Sequence, residues 1–311
     1  MTPNPSTPTT PPTANAPSPA NPPADPGRFS PTLPHLVGVL GGGRMGAGIA
    51  HAFLMAGCTV TVVERDGGAA AAARARVESA VAKSLERGVA GSADGLLSRL
   101  AVSTSYADFG PCELVVEAVP EIQQLKAAAL KAVEDQLAPT AFLATNTSSL
   151  SVSGLAEGLK RPENFIGLHF FNPVPASMLI EIVIGSQSLP SLLDAARLWV
   201  AALGKTAVVV KDSPGFASSR LGVALALEAM RMLEEGVASA EDIDNAMVLG
   251  YRHQTGPLRT TDLVGLDVRL EIAEYLAETL GERFAPPQIL YDLVARGELG
   301  RKTGKGFFDW G

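Results

Sequence analysis

The chain has 311 residues, 46% of them hydrophobic and 18% charged, which is material for one large domain or two ordinary ones around a buried core. A net charge of −7 and a pI near 5.2 argue against a nucleic-acid partner, because no basic patch offsets phosphate charge, although a few local basic residues suffice for a small anionic substrate. No run of about 18 or more apolar residues exists, so no segment is expected to span a membrane; Cys58 and Cys112 lie far apart in apolar settings without metal-ligand spacing, as buried thiols of a reducing cytoplasm would.

Residues 1–34 hold 12 of the 23 prolines, mixed with Thr, Ala, Asn and Ser. Such a stretch buries too little apolar surface to offset its ordering entropy and reads as a disordered tail, to which His35 is adjoined. It lacks the basic start and apolar stretch of a secretory signal. The fold begins at "HLVGVLGGGRMGAGIAHAFLMAGCTVTVVERD". A β-branched run over 36–40 ends in glycines, a helical pattern runs from Met45 to Gly57, and 59–63 is a second strand, so this is a βαβ unit. A long Ala/Arg-rich helix follows over 68–88, then strands at 100–103 and 113–119, a helix over "QQLKAAALKAVEDQL", and strands at 141–146, 164–171, 178–185 and 206–212. Strands alternating with helices call for a largely parallel sheet covered on both faces. After "KDSPGF" the pattern turns helical, over 218–247 and 265–281. The expected architecture is therefore α/β, with a Rossmann-type doubly wound sheet over 35–212 and an all-helical domain over 213–311 whose apolar faces suffice for a dimer contact.

Gly41, Gly43 and Gly46 stand in G-x-G-x-x-G spacing, with Arg44 and Met45 between the last two. The first glycine serves the tight turn, the second lets a pyrophosphate approach the backbone, and the third lets the helix pack on the strand. The pyrophosphate would sit on the free N–H groups and positive dipole end of that helix. A lone glycine-rich turn is weak evidence. This one follows a strand, opens a helix, and leads to Glu64, 18 residues after Gly46, where an acid binds the adenine-ribose hydroxyls. A carboxylate there repels a 2′-phosphate, which favours NAD over NADP, although the adjacent Arg65 could partly undo that preference.

"LHFFNPVPASMLIE" over 168–181 sets one histidine and one glutamate in two apolar runs flanking a Pro-rich turn. If the runs pair antiparallel about Pro175, His169 falls opposite Glu181, both six residues from the centre. A buried carboxylate beside a histidine fixes one tautomer, leaves the other nitrogen free as a base, and stabilises the imidazolium. A structural His–Glu pair is the bland alternative; proximity to a nicotinamide favours the catalytic one. No further His or Cys cluster accompanies the pair, so no metal is expected. In "ATNTSSLSV", residues 146–149 either cap a helix or, at the C-terminal edge of a parallel sheet, hold nicotinamide and substrate oxygen. His51 reads as structural or exposed, and His253 as a surface-loop residue.

"VGVLGGGRMGAGIA", "VVEAVPE", "NTSSLS", "GLHFFNPVP", "DSPGF", "TGPLRTTDLVGLD" and "GRKTGKGFFDW" in this order, from about residue 36 to the C-terminus, resemble the 3-hydroxyacyl-CoA dehydrogenase family, in particular its short 3-hydroxybutyryl-CoA dehydrogenase branch. The resemblance implies reversible oxidation of an (S)-3-hydroxyacyl-CoA with NAD as hydride acceptor. It implies His169 as general base, Glu181 as its orienting acid, Ser148 on the reacting oxygen and Asn172 close to that centre. Glu121 and Lys126 match an acid and a lysine at the nicotinamide-ribose side, Lys302 a C-terminal lysine that reaches the cofactor, and Arg87 a basic residue for the CoA phosphates; an exposed helix arginine is the alternative for Arg87. A homodimer also follows from the resemblance alone. Two departures stand out. "GFASSR" places Ser219 where the family often has an asparagine, so the acyl group would be held differently, and "ASMLIE" lacks a basic residue that some members carry. Two other readings compete. One is an NAD enzyme for a free hydroxy acid such as a sugar acid, which would need a basic clamp near His169. The other is a non-catalytic NAD-binding protein, which would have lost the His–Glu pair.

Overall fold

A computed structural model describes residues 33–311. Apart from Leu33 and Pro34, the Pro-rich segment lies outside the described residues. Eight strands form one sheet: β1 (Leu36–Leu40), β2 (Thr59–Val63), β3 (Leu100–Ser103), β4 (Leu114–Glu117), β5 (Phe142–Thr145), β6 (Phe165–Phe170), β7 (Leu179–Ile184) and β8 (Thr206–Lys211). They are ordered β3-β2-β1-β4-β5-β6-β7-β8, and every pairing is parallel except β6 with β7. Strands β4, β5 and β6 are buried along their whole length, and β1 almost so, because both faces of the sheet are covered.

The covering helices are α1 (Arg44–Met55), α2 (Gly67–Glu86), α3 (Ala93–Leu97), α4 (Gln123–Glu134), α5 (Val152–Ala156) and α6 (Pro190–Ala202). The chain runs from β1 to β2 on one side and to β4 on the other. The strand order therefore reverses at β1/β4 and opens a crevice at the carboxyl ends of the strands, where doubly wound folds bind ligands. His35 belongs to the sheet and not to the tail: its carbonyl accepts from the Thr59 N–H at 2.8 Å and its N–H donates to Glu113 at 2.6 Å.

Beyond β8 the chain is helical: α7 (Ser218–Glu234), α8 (Ala240–Asn245), α9 (Pro257–Val264), α10 (Leu266–Leu280) and α11 (Gln288–Ala295). Val223, Leu227, Met230, Leu258, Leu276 and Leu290 build a core of their own there, each with no exposed surface. The helical run expected over 218–247 is two helices. Gly236 takes a left-handed φ of 70°, and Ser239 caps α8 by accepting from the Asp242 N–H at 3.1 Å, so the periodicity of Leu, Ala and Met crosses a real break.

Candidate active site

The glycine-rich turn leaves β1 and enters α1, and its three glycines are needed for three different reasons. Gly41 takes a φ of 87°, open to glycine at little cost. A Cβ on Gly46 would lie 1.7 Å from the Gly41 carbonyl oxygen, so nothing larger fits where helix meets strand. A Cβ on Gly43 would meet nothing within 4 Å, because this position faces the open cleft. No side chain caps α1, so the N–H groups of Arg44, Met45 and Gly46 stay available, and the first turn carries no acid to oppose an anion. Glu64, at the end of β2, accepts from the Gly42 N–H at 2.7 Å and lines the same cleft of about 770 Å³. An uncapped helix end, an open glycine and an acid across the cleft are what a dinucleotide's pyrophosphate and ribose require, so the residues present fit NAD.

At the end of β4 lies a buried charge cluster. The Lys126 ammonium, on α4 and 1% exposed, donates to Glu117 at 2.8 Å and to the Val119 carbonyl at 3.1 Å, and pairs with Glu121 at 3.2 Å. Those contacts occupy its three donors. Thr145 of β5 donates to the other Glu117 oxygen at 2.7 Å. Glu121 in turn gathers the loop after β5: it accepts from the Thr147 hydroxyl, from the Ser148 N–H at 2.8 Å and hydroxyl at 3.3 Å, and from the Ser149 N–H at 3.3 Å. Burial pushes the Glu121 carboxyl up, but the Lys126 charge and the Thr147 and Ser148 hydrogen bonds outweigh it and hold the group below its ordinary value. Residues 146–149 do not cap α5; Ser151 does, accepting from the Gly154 N–H at 3.0 Å. Asn146 instead accepts from the Phe170 N–H at 2.8 Å, which ties the Ser148 loop to the strand that carries His169.

His169 and Glu181 are register partners across the antiparallel β6/β7 pair, with Nδ1 and Oε2 2.8 Å apart. Glu181 has no exposed surface and His169 has 7%, against the rings of Phe171 (4.3 Å between centroids) and Phe216 (5.9 Å). Glu181 also accepts from the Ala217 N–H at 3.1 Å, the Ser218 N–H at 2.8 Å and the Ser218 hydroxyl at 2.7 Å. Burial raises the Glu181 carboxyl, but the bonds from His169 and Ser218 outweigh burial and keep it an anion below its ordinary value. A proton on Nδ1 held by this anion would leave the Nε2 lone pair able to accept one.

A second cleft of about 680 Å³ opens between α1, α2 and the turn over 172–176. Asn172 and Arg87 both line it, together with Arg44, Arg76 and Lys83, so four basic side chains face one space. Ser219 is half-buried on the first turn of α7. Lys302 pairs with Asp267 at 2.6 Å within the helical part, and it does not line the dinucleotide cleft. Glu117, Thr145 and Ser218 are site residues that the sequence reading passed over. A carboxylate inside the apolar strand LVVE was a usable signal for Glu117, the same kind that marked Glu181. Two histidines lie apart from this chemistry: His51, 4% exposed, bonds Ser84 at 2.9 Å, and His253 is exposed in a loop. Among the described residues no group of His, Cys, Asp and Glu could hold a metal ion.

Comparison with known proteins agrees with this geometry. Residues 36–213 match the 3-hydroxyacyl-CoA dehydrogenase NAD-binding domain, and residues 215–310 match the C-terminal domain of the same family. A 3-hydroxybutyryl-CoA dehydrogenase of Mycobacterium tuberculosis is 39% identical over 285 residues, covering 88% of this chain and 98% of that protein. The human mitochondrial hydroxyacyl-coenzyme A dehydrogenase is 37% identical over 288 residues, covering 88% and 90%. The crystal structure of (S)-3-hydroxybutyryl-CoA dehydrogenase PaaH1 from Ralstonia eutropha superposes with a TM-score of 0.86 at 37% identity, covering 89% of this chain and 99% of that one. The chain belongs to the 3-hydroxyacyl-CoA dehydrogenase family.

Proposed function

We propose that this protein catalyses the reversible, NAD-dependent oxidation of an (S)-3-hydroxyacyl-CoA to the 3-ketoacyl-CoA, with 3-hydroxybutyryl-CoA as its substrate. The observation that carries this reading is the buried His169–Glu181 pair, 2.8 Å apart, in the same sheet that ends in a dinucleotide cradle. NAD, when bound, supplies the acceptor for the hydride that leaves C3. His169 Nε2 takes the proton of the 3-hydroxyl, while Glu181 holds the ring and stabilises its positive charge. Ser148, kept in place by Glu121, hydrogen-bonds the reacting oxygen, and Asn172 lines the neighbouring cleft. Gly41, Gly43, Arg44, Met45 and Gly46 receive the pyrophosphate and Glu64 the adenine ribose. Lys126 acts through Glu121 at the nicotinamide-ribose side. Lys302 would have to exchange Asp267 for the cofactor.

The cleft with Arg44, Arg76, Lys83 and Arg87 gives the CoA phosphates their counter-charges, and Ser219 borders the acyl group. The domain division follows the change of texture, with the sheet over 35–212 and the helical part over 213–311. Leu221, Leu249 and Tyr251, each more than 70% exposed on the helical part, support a homodimer through that part. No described helix is long and apolar enough to cross a membrane, and Cys58 and Cys112 are free, buried thiols, which fits a reducing cytoplasm as the location; burial pushes them up to about 11 and about 12. A free hydroxy acid is the weaker substrate: its carboxylate needs a basic clamp, and the rings beside His169 are those of Phe171 and Phe216.

The test is NADH consumption with acetoacetyl-CoA, repeated with NADPH and with free acetoacetate. Turnover confined to the thioester and NADH is expected; turnover on the free acid alone would overturn the reading. Arg87→Ala should raise KM for acetoacetyl-CoA about tenfold while leaving KM for a thioester that lacks the nucleotide unchanged, the worth of one charge-assisted contact. A mass in solution of one chain would remove the dimer.

A further inference from the structure

We infer that the Ser218 hydroxyl sets the working pH of the catalytic pair by donating to the Glu181 oxygen that also receives the His169 N–H. This rests on the assignment of His169 as the base. The sharing is geometric. Oε2 lies 2.8 Å from His169 Nδ1 and 2.7 Å from Ser218 Oγ, while Oε1 takes the Ala217 and Ser218 N–H groups at 3.1 and 2.8 Å.

Ser218 is the first residue of α7, directly after the N-cap position, which Ala217 holds. Here α7 has no side-chain cap, and the hydroxyl points across to β7. The carboxylate is therefore seated on a helix N-terminus with four donors, only one of them the imidazole. Val208 of β8 is its register neighbour, and the rings of Phe171 and Phe216 cover the histidine.

A carboxylate that shares one oxygen between two donors gives less of its negative charge to each. The Ser218 bond thus weakens the pull of Glu181 on the imidazolium and lets His169 act as a base at lower pH than Glu181 alone would allow. Ser218 is a positioning residue: it acts on the reaction only through Glu181. Removing its hydroxyl concentrates the carboxylate on the imidazole, favours the protonated ring, and moves the onset of base catalysis to higher pH.

The experiment is the pH profile of kcat/KM for 3-hydroxybutyryl-CoA oxidation at saturating NAD, with the full chain and its Ser218→Ala, Ser218→Thr and His169→Gln variants. The acid limb should move up by about 0.5 to 1 pH unit in Ser218→Ala, the scale of one hydrogen bond on a titrating pair, and Ser218→Thr should return it. A Ser218→Ala enzyme that is slower or faster with its acid limb unmoved would overturn the inference. Should that variant fail to fold, Ser218→Cys keeps the volume with a weak donor, and its limb should shift in the same direction by less; an unmoved limb there is equally decisive. Near-normal turnover by His169→Gln would instead sink the assignment of the base, an outcome distinct from an unmoved limb.

Discussion

The sheet and the helical part both bury acids, but they surround them with different donors. In the sheet, Glu117 and Glu181 have no exposed surface and, besides main-chain N–H groups, meet polar side chains: Lys126 and Thr145 in one case, His169 and Ser218 in the other. In the helical part, Asp244 and Asp262 are 5% and 1% exposed and meet main-chain N–H groups and, for Asp262, one indole N–H. Asp244 accepts from the Leu258 and Arg259 N–H groups at 2.8 and 2.9 Å and so caps α9. Asp262 accepts from the Phe307 and Phe308 N–H groups, both at 2.9 Å, and from the Trp310 indole at 2.8 Å, which pins the C-terminal segment. A main-chain N–H does not titrate and is fixed in place, whereas an imidazolium or an ammonium can lose its proton and a hydroxyl can be re-aimed. Burial of an acid is thus no sign of chemistry by itself; the chemical type of its partner is.

The sharpest way to break this contrast is to remove one partner on each side. His169→Gln should leave NAD binding nearly unchanged and lower kcat by ~10² to 10⁴, the usual worth of a general base. Fluorescence titration with NADH and steady-state rates read the two quantities separately. A smaller effect should follow at Glu117, and on stability. Glu117→Gln leaves a buried ammonium short of its nearest counter-charge, at a cost of about 3 kcal/mol in urea unfolding. Adding Lys126→Met to Glu117→Leu should recover most of that loss while activity stays low, since Glu121 and the Ser148 loop lose their lysine. Recovery of both stability and activity would make the cluster a packing device only. Smaller again is Asp262→Asn, expected to cost ~1–3 kcal/mol by spoiling main-chain hydrogen bonds, with kcat per folded molecule unchanged.

The sequence revealed those sites unevenly, for reasons that can be located. The His169–Glu181 register was readable because two runs of equal length flank one turn, so their polar residues meet by symmetry. The dinucleotide cradle was readable because each glycine's task is local to the turn. The Glu117–Lys126 contact was not, because it joins a strand to a helix whose angle of approach no periodicity encodes. Ser218 was hidden further, since its partner lies 37 residues back across the junction of sheet and helices, and a serine opening a helix resembles a cap. Attention fell on the neighbouring Ser219 because it departs from the family pattern, a signal that concerns substrate and not the orienting acid. Lys302 was placed by resemblance alone, and its ion pair with Asp267 depends on how the C-terminal turn packs on α10.

The smallest effect is one of sign. Glu181 and Asp244 should respond to pH in opposite directions. Glu181 is held below its ordinary value of 4.5, so it contributes stability that is fully present above that value and is lost as pH falls through the depressed one. Asp244 is raised above its ordinary 3.8 by burial, against the pull of the Arg259 and Leu258 N–H groups. Its contribution is therefore largest below 3.8 and declines as pH rises through the elevated value. Urea unfolding of Glu181→Gln and Asp244→Asn against the parent chain, from acid to neutral pH, separates them. The stability difference between parent and Glu181→Gln should grow from acid toward neutral pH, and that for Asp244→Asn should shrink. Parallel curves would mean that both acids are pinned alike, and that the difference in their donors has no thermodynamic counterpart.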